Sequence, residues 1–464
     1  MKINEQLQAV DLSSPVERAL ELAEKKVRAL NQVWDPAQGA PVITVDGKYT
    51  SRSWTEWTQG FQFGCPLLIF EATGQNDMLQ LGRSRTIEHM ARHITHRGVH
   101  DHGFNTISTY GNLRRLMRLG RIESNDWEQR FYEMAIKASG AVQAARWTDA
   151  ADDKLPCGYI YSFNGPHSLF VDTIRSLRIL GLAHQLGHVL LGENDRQISL
   201  LGRLLIHGLT TARHIIWSDD QSGPYVIKGR TAHEAIFNTH NGGFRCRSTQ
   251  QGYSPFSTWT RGLAWAILGF AEQLEFIETL SNDHIELQVG MEKKQIAGIF
   301  RQAACDTSDH YIDQCTATDG IPYWDDGAPG LYKLGDWRDK EADPLNDFEP
   351  VDSSAAAIAA QGLIRLGLQL GDAGSRYTQA GLTVAATLFG DPYLSLDDAH
   401  HGLLLHSVYH RPNGWDHIPK GRKIPCGESS MWGDYHALEL AVLIQSLAQD
   451  KAHPVFFDRI GETE

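Results

Sequence analysis

Residues 15–34 read PVERALELAEKKVRALNQVW. On a helix, Ala19, Leu20, Leu22, Ala23, Val27 and Leu30 fall on one stripe, with Glu, Lys and Arg between them. The same period recurs at 66–72, 78–95, 127–144, 169–190, 195–217, 257–281, 292–305, 352–370, 376–389 and 434–448, which makes roughly a dozen helices. Strand-type alternation is rare, and GPYVIKG at 223–229 is the best candidate for it. Turn clusters divide the helices: GQND (74–77), GEND (192–195), SND (281–283) and GDAG (371–374). Helix, short polar turn and helix again is the pattern of αα-hairpins laid end to end. Six hairpins closed on themselves make an (α/α)6 barrel; left open they make a solenoid. No short motif repeats at a fixed period, and the connecting loops are long and rich in Trp, His, Asp and Gly, which favours the closed ring. No linker rich in Pro, Ser or Gly interrupts the chain, so the expectation is an all-α (α/α)6 barrel in a single domain spanning 1–464.

Composition narrows the function. The 464 residues are 42% hydrophobic and 21% charged, which suits a globular protein and excludes a disordered one. Lys and Arg number 43 against 56 Asp and Glu, a net charge of −13 with no basic run, so nucleic acid is not an expected partner. No segment approaches the ~20 apolar residues of a membrane span, and the N-terminus lacks a signal-peptide core, so a cytoplasmic location without membrane contact is expected. The six cysteines are scattered with no CxxC pair, which argues against both a disulfide framework and a zinc knuckle. Twelve Trp, 14 Tyr and 17 Phe are what a core usually takes up, and also what a cleft that stacks sugar rings needs. Nothing in the sequence chooses between a monomer and a dimer.

Four stretches carry candidate chemistry. SWTEWTQGFQFGCPLLIFEATG (53–74) sets Trp and Phe ahead of an apolar helix, with Gly60 and Gly64 allowing close approach. VHDHGFNTISTYGNL (99–113) places Asp101 between His100 and His102. Two His at i, i+2 do not share a helix face, so a metal half-site is disfavoured against a helix cap or a tuned carboxylate. SFNGPHSLFVDTIRSLRILGLA (162–183) opens a helix at Asp172, among Leu169, Phe170, Val171, Ile174 and Leu177. A carboxyl group there is expected to be desolvated and its pKa raised, whether it is catalytic or a buried Asp satisfied by a neighbouring loop. STQQGYSPFSTWTRGLAWAILGFAE (248–272) carries Gln251, Tyr253, Trp259, Arg261 and Trp265, and Arg261 between two Trp demands an anion, either an internal Asp or a ligand carboxylate.

The string Q-G-Y-S-x-x-S-x-W-x-R-G-x-A-W at 251–265, with WTQGF (57–61), HDHGF (100–104), IHGLTTARHIIWSDD (206–220), DSSAAAIAAQGL (352–363) and WGDYHALEL (432–440), resembles glycoside hydrolase family 88, the unsaturated glucuronyl hydrolases. The resemblance runs from about residue 50 to about residue 445 and implies the (α/α)6 barrel that the helical periodicity already favours. It implies hydration of the C4=C5 double bond of a 4,5-unsaturated uronic acid at the non-reducing end of lyase-made oligosaccharides, with no cofactor and no metal. Motif by motif, it makes Asp172 the general acid/base and Asp101 the second essential carboxylate. Trp57, His100, His207, Gln251, Arg261 and Trp265 would bind or position the sugar. The chain departs from the family pattern at Gln62, where relatives often carry an aromatic, and at Pro255-Phe256, where Asp-Asp is common.

This chemistry suits such residues. Protonating C4 creates positive charge shared by C5 and the ring oxygen, so the donor must be neutral at working pH. Having given its proton, the same carboxyl group can deprotonate the water that attacks C5. The hemiketal then opens by itself. The basic loop PKGRKIPCGES (419–429) offers Lys420, Arg422 and Lys423 either to the next sugar or simply to solvent. Two other readings stand beside this one: an unsaturated rhamnogalacturonyl hydrolase on the same fold, and a sugar epimerase using His207 and His214, which leaves Asp172 and the 251–265 string unexplained.

Overall fold

Twelve long helices alternate between an outer and an inner ring. The computed structural model of the protein describes residues 1–52, 57–219, 221, 223 and 226–458. The outer helices are α1 (Ser13–Val33), α3 (Asn76–His89), α5 (Asp126–Ala145), α7 (Leu200–His214), α9 (Lys293–His310) and α11 (Ser375–Leu388). The inner helices are α2 (Gln59–Thr73), α4, α6, α8 (Thr260–Glu278), α10 (Ser353–Leu370) and α12 (Met431–Ala448). Helix α4 runs on through His102–Thr106, a π-type turn Ile107–Gly111 and Asn112–Arg118. Helix α6 joins Thr173–Ser176 to Arg178–Gln185. Each inner helix packs on the next, and α12 returns to α2, so the ring closes and the (α/α)6 expectation holds. Among the described residues no helix is long and apolar enough to cross a membrane.

Burial explains which helices the periodicity finds. Outer helices such as α1 bury one stripe and show solvent the other, so their pattern is legible. Inner helices are buried almost all round: every residue of α8 from Thr260 to Ile277 and of α10 from Ser353 to Gly367 is buried. Such helices read as apolar runs. Helix α4 is the one inner helix the periodicity misses. Its N-terminal half, HGFNTISTYG, is small and polar yet wholly buried, so it shows neither a stripe nor an apolar run. Helix α6 starts later than expected because Ser168–Phe170 is a strand, paired to Glu234–Phe237, which in turn pairs Phe244–Ser248. Helix α3 stops at His89, short of the expected 95. No strand forms among the described residues of 223–229; Pro224 and Tyr225 lie outside them.

Two glycines let the inner ring close. A Cβ at Gly60 of α2 would lie 2.4 Å from the Asn105 carbonyl oxygen of α4, and one at Gly103 of α4 would lie 2.0 Å from the Ser176 carbonyl oxygen of α6. Hydrogen bonds mark the same seams: Gly60 N donates to Asn105 Oδ1 at 2.8 Å and Gly103 N to Ser176 Oγ at 3.0 Å.

Charges also fill the ring. Arg175 of α6, fully buried, donates to both oxygens of Glu272 on α8 (2.8 and 3.1 Å) and to Glu439 Oε2 on α12 (2.9 Å). Burial disfavours the Glu439 carboxylate, but Arg175 together with His436, Arg178 and Arg365 outweighs it and holds Glu439 down at about 2. Substituting Arg175→Met should cost about 3–5 kcal/mol, the range for leaving a buried charge unpaired. The measurement is the melting temperature of the helical circular dichroism signal, and an unchanged midpoint would show that the three charges hold nothing together.

Candidate active site

All six inner helices point their N-termini at the same end of the barrel. Trp57, Asp101, Asp172 and Trp259, each at or just before the start of α2, α4, α6 or α8, line one cleft of ≈ 710 Å³, open solvent at its mouth included. The starts of α10 and α12 reach it through Arg261, which pairs with Asp352 and lies under the Trp432 ring. That volume accommodates a small sugar. Converging N-termini present partial positive charge, each end contributing ~0.3–1 kcal/mol toward an anion. The walls are aromatic: Phe104, Phe163, Phe170, Trp265, Tyr409 and Trp415 join the two Trp above. Trp57 stacks on Trp432 at 5.1 Å, and Trp265 packs against Phe104 at 5.0 Å.

At the floor, His100 bridges two carboxyls. Its Nε2 lies 3.1 Å from Asp172 Oδ1 and 3.7 Å from Asp101 Oδ1. Burial pushes Asp101 up to about 6, against the opposing pull of His100. Burial also disfavours the Asp172 carboxylate, but the His100 charge and hydrogen bond outweigh it and hold Asp172 below the usual carboxylate range. For His100 itself, burial is overcome by the two carboxyls, and its pKa is raised. The expected raised pKa therefore falls on Asp101, not on Asp172. The sequence shows the apolar neighbours of Asp172 but not the imidazole that folding brings against it.

The other expected site residues divide. Gln251, Arg261, Trp57 and Trp265 line the cleft with the two Asp. Arg261 is held by internal partners. It is 1% exposed and donates to Asp352 Oδ2 (2.9 Å), Gln251 Oε1 (3.0 Å), the Tyr409 carbonyl (2.6 Å) and the Val408 carbonyl. Its anion is an internal Asp, and its work is to hold Gln251 and the 408–409 backbone. His207 is fully buried and does not line the cleft; its Nδ1 accepts from Ile160 N at 3.0 Å, and burial drives its pKa down to about 3. In the basic loop, Lys423 pairs with Asp347 at 2.8 Å and Arg422 donates to the Leu345 carbonyl, and neither lines the cleft. Gln62 accepts from Gln59 Nε2 at 2.6 Å inside α2. Ser53, Trp54, Thr55, Glu56 and Asp220 of the quoted motifs lie outside the described residues.

His233 was missed. Its Nδ1 accepts from Gln250 N (2.8 Å) and Gln251 N (3.3 Å), its ring packs on Phe170 and Trp259, and its carbonyl accepts from Val171 N. It thus ties the Gln251 loop to the Asp172 loop. Next to it, Glu234 accepts from Asn164 Nδ2 (3.0 Å) and Gln250 Nε2 (3.1 Å), which fixes two polar side chains of the cleft wall. A lone His ahead of a short strand carries no sequence signal. Two groupings have metal-compatible spacing, His310 with Cys315 and Asp326, and Asp46 with His417 and Glu428; none of these six lines the cleft.

The structure is thus a closed ring of six αα-hairpins with two carboxyls in an aromatic cleft. No protein-family model matches the chain. It is 26% identical over 433 residues to the unsaturated chondroitin disaccharide hydrolase of Streptococcus pyogenes serotype M1, covering 91% of this chain and 90% of that one. It is 25% identical over 410 residues to the unsaturated glucuronyl hydrolase of Bacillus sp. strain GL1, covering 86% and 88%. The crystal structure of the unsaturated glucuronyl hydrolase from Bacillus sp. GL1 superposes with a TM-score of 0.67 at 22% identity, over 92% of this chain and 96% of that one. That of an unsaturated glucuronyl hydrolase specific for heparin gives 0.67 at 20% identity, over 95% and 100%. In sequence the chain is similar to proteins named unsaturated glucuronyl hydrolase, and it shares the fold of their crystal structures.

Two outcomes follow from the geometry. With its carboxyl group titrating near 6 rather than 3.8, Asp101 favours the folded state when neutral, so its contribution is complete at low pH and is lost as pH rises through 6. Asn does not ionise. Asp101→Asn should therefore melt higher than the wild type at about pH 8, by up to about 3 kcal/mol of stability, with the difference gone near pH 4. A pH-independent difference in melting temperature would contradict the raised pKa. Arg261→Ala leaves the buried Asp352 unpaired and should cost about 3–5 kcal/mol of folding stability. Affinity for an unsaturated uronide and for its methyl ester should then fall equally; selective loss of the acid would mean that Arg261 holds the carboxylate after all.

Proposed function

We propose that this chain hydrates the C4=C5 double bond of a 4,5-unsaturated uronic acid at the non-reducing end of an oligosaccharide, and that residues 1–464 act as one catalytic unit. The observation that carries this reading is the Asp101–His100–Asp172 cluster at the floor of an aromatic cleft. Relatives named for the same reaction, aligned over most of the chain, support it.

Asp172 is the acid/base. Of the two carboxyls its side chain is the more open to the cleft, 13% against 7%. It protonates C4, and the carboxylate left behind takes a proton from the water that adds to C5. The hemiketal opens and releases the remaining sugar. Asp101 is the second carboxyl, its pKa pushed up to about 6 by burial. Trp57 and Trp265 offer ring faces to the sugar, while Gln251, held by Arg261, offers its amide group. No unpaired guanidinium is needed for the uronate, since the converging helix N-termini already favour an anion. Because C1 is never attacked, the separation of the two carboxyls does not predict retention or inversion.

The reaction is tested in heavy water with an unsaturated disaccharide. The released 4-deoxy sugar should carry deuterium at C4, and the ultraviolet absorbance of the conjugated double bond should disappear. A saturated uronide of the same linkage should be inert. Sugar released without deuterium at C4 would mean cleavage at C1, and deuterium at C2 without release would mean epimerisation. In the same assay Asp172→Asn should lose essentially all turnover, at least the ~10²–10⁴-fold that positioned proton transfer supplies, with an unchanged helical circular dichroism spectrum. Retention of more than a few per cent of the rate (roughly, on that scale) would remove Asp172 from the acid/base role.

A further inference from the structure

His100 has a place that sugar binding does not explain. It is 1% exposed and absent from the cleft wall. Its ring lies against Phe163 and Phe170, at 5.5 and 5.7 Å between centroids, and its Nδ1 has no hydrogen-bond partner. Among the described residues its ring engages polar groups through Nε2, toward Asp172 at 3.1 Å and Asp101 at 3.7 Å. A side chain sealed from the sugar and aimed at both carboxyls acts through them.

We propose that His100 is the proton reservoir of the site: the resting protein stores the catalytic proton on His100 Nε2, and the arriving uronate drives it across the hydrogen bond to Asp172 Oδ1. The inference rests on the uronide-hydrating reading and resolves a conflict within it, since Asp172 must be an acid in the reaction yet is held ionised at rest. A substrate carboxylate entering the cleft sets a second negative charge near Asp172 in a water-poor space. Transfer of one proton converts imidazolium and carboxylate into imidazole and carboxylic acid, leaving Asp172 without charge. Asp172 then gives that proton to C4, whose new C–H bond uses the electron pair of the double bond. Water adds its oxygen to C5 and returns a proton to Asp172. On product release the proton goes back to His100. One water is consumed, and no other proton is needed.

The surroundings of His100 suit this role. Asp101 and Asp172 favour its charge, and Arg146, whose guanidinium donates to the Tyr161 and Ser162 carbonyls, opposes it. His102, His207 and His233, the other imidazoles that sense His100, are pushed by burial to about 4, 3 and 4 and are neutral. His100 is thus the one imidazole among these four placed to hold charge. It is a positioning residue in the sense that it acts through Asp172.

The test is the pH profile of kcat/KM for wild type and His100→Asn on an unsaturated disaccharide. In the wild type the falling limb at high pH should lie above 6.5, where His100 loses its proton. In the variant Asp172 must hold the proton unaided, and the limb should move down by about one pH unit or more, so that the deficit widens with pH. A constant deficit with the limb unmoved would overturn the reservoir and leave the hydration reading standing. Should the variant fail to fold, imidazole nitrogen NMR of the wild type decides instead. His100 should be protonated in the free protein at about pH 6.5 and neutral when an inert saturated uronide is bound. An imidazole unchanged by the ligand overturns the proposal. A wild-type protein that leaves the double bond intact at every pH overturns the hydration reading itself, and this inference with it.

Discussion

Arg175 sits three residues beyond Asp172 on the same inner helix and joins that helix to two others. Glu272 and Glu439 meet it from α8 and α12, and Arg178 adds a further contact to Glu272 at 3.3 Å. A buried ion cluster is a poor source of net stability, because desolvation consumes most of the attraction. Its value is geometric. Hydrophobic helices packed side by side can slide and rotate with little change in energy, whereas a guanidinium that must satisfy two carboxylates has one position. The cleft above depends on that position, since Asp172 stands at the head of the helix that the cluster pins.

The same logic distributes charge at the cleft end. Two guanidiniums near it have internal partners: Arg261 has Asp352, and Arg146 has backbone carbonyls. Specificity for an anion then falls to diffuse sources, the helix N-termini and polar side chains such as Gln251. This resolves the apparent conflict between a net charge of −13 and an anionic sugar. Charge beyond a Debye length of about 8 Å is screened, and the groups within that distance are arranged locally.

The outer helices were legible because each has a wet face and a dry face, and α1, α5 and α9 appear within a few residues of where their stripes place them. The inner helices were legible where they are apolar, as α8 and α10 are. Helix α4 was not, although it carries Asp101. Its small residues are buried because Gly103 and Asn105 must meet neighbouring backbones at close range, and that requirement arises only once the ring has closed. The candidate site divides in the same way. Asp101, Asp172, Trp57, Gln251 and Trp265 were found through motif resemblance, and all five line the cleft. His233 and Glu234, which tie the Gln251 loop down, had no local signal.

By itself the sequence determined the helical class, the hairpin order and the residue types of a sugar cleft, because periodicity, turn chemistry and motif strings are properties of neighbours along the chain. The tertiary structure alone decided what each polar group pairs with. It gave Arg261 to Asp352, withdrew His207 from the cleft, tied Arg422 and Lys423 to the 345–347 segment, and set His100 between two carboxyls so that Asp101, rather than Asp172, has the raised pKa. Those pairings join residues up to 91 positions apart, as between Arg261 and Asp352. The energy of a buried charge depends on what lies within a few ångströms of it, and no local pattern in the chain records that distance.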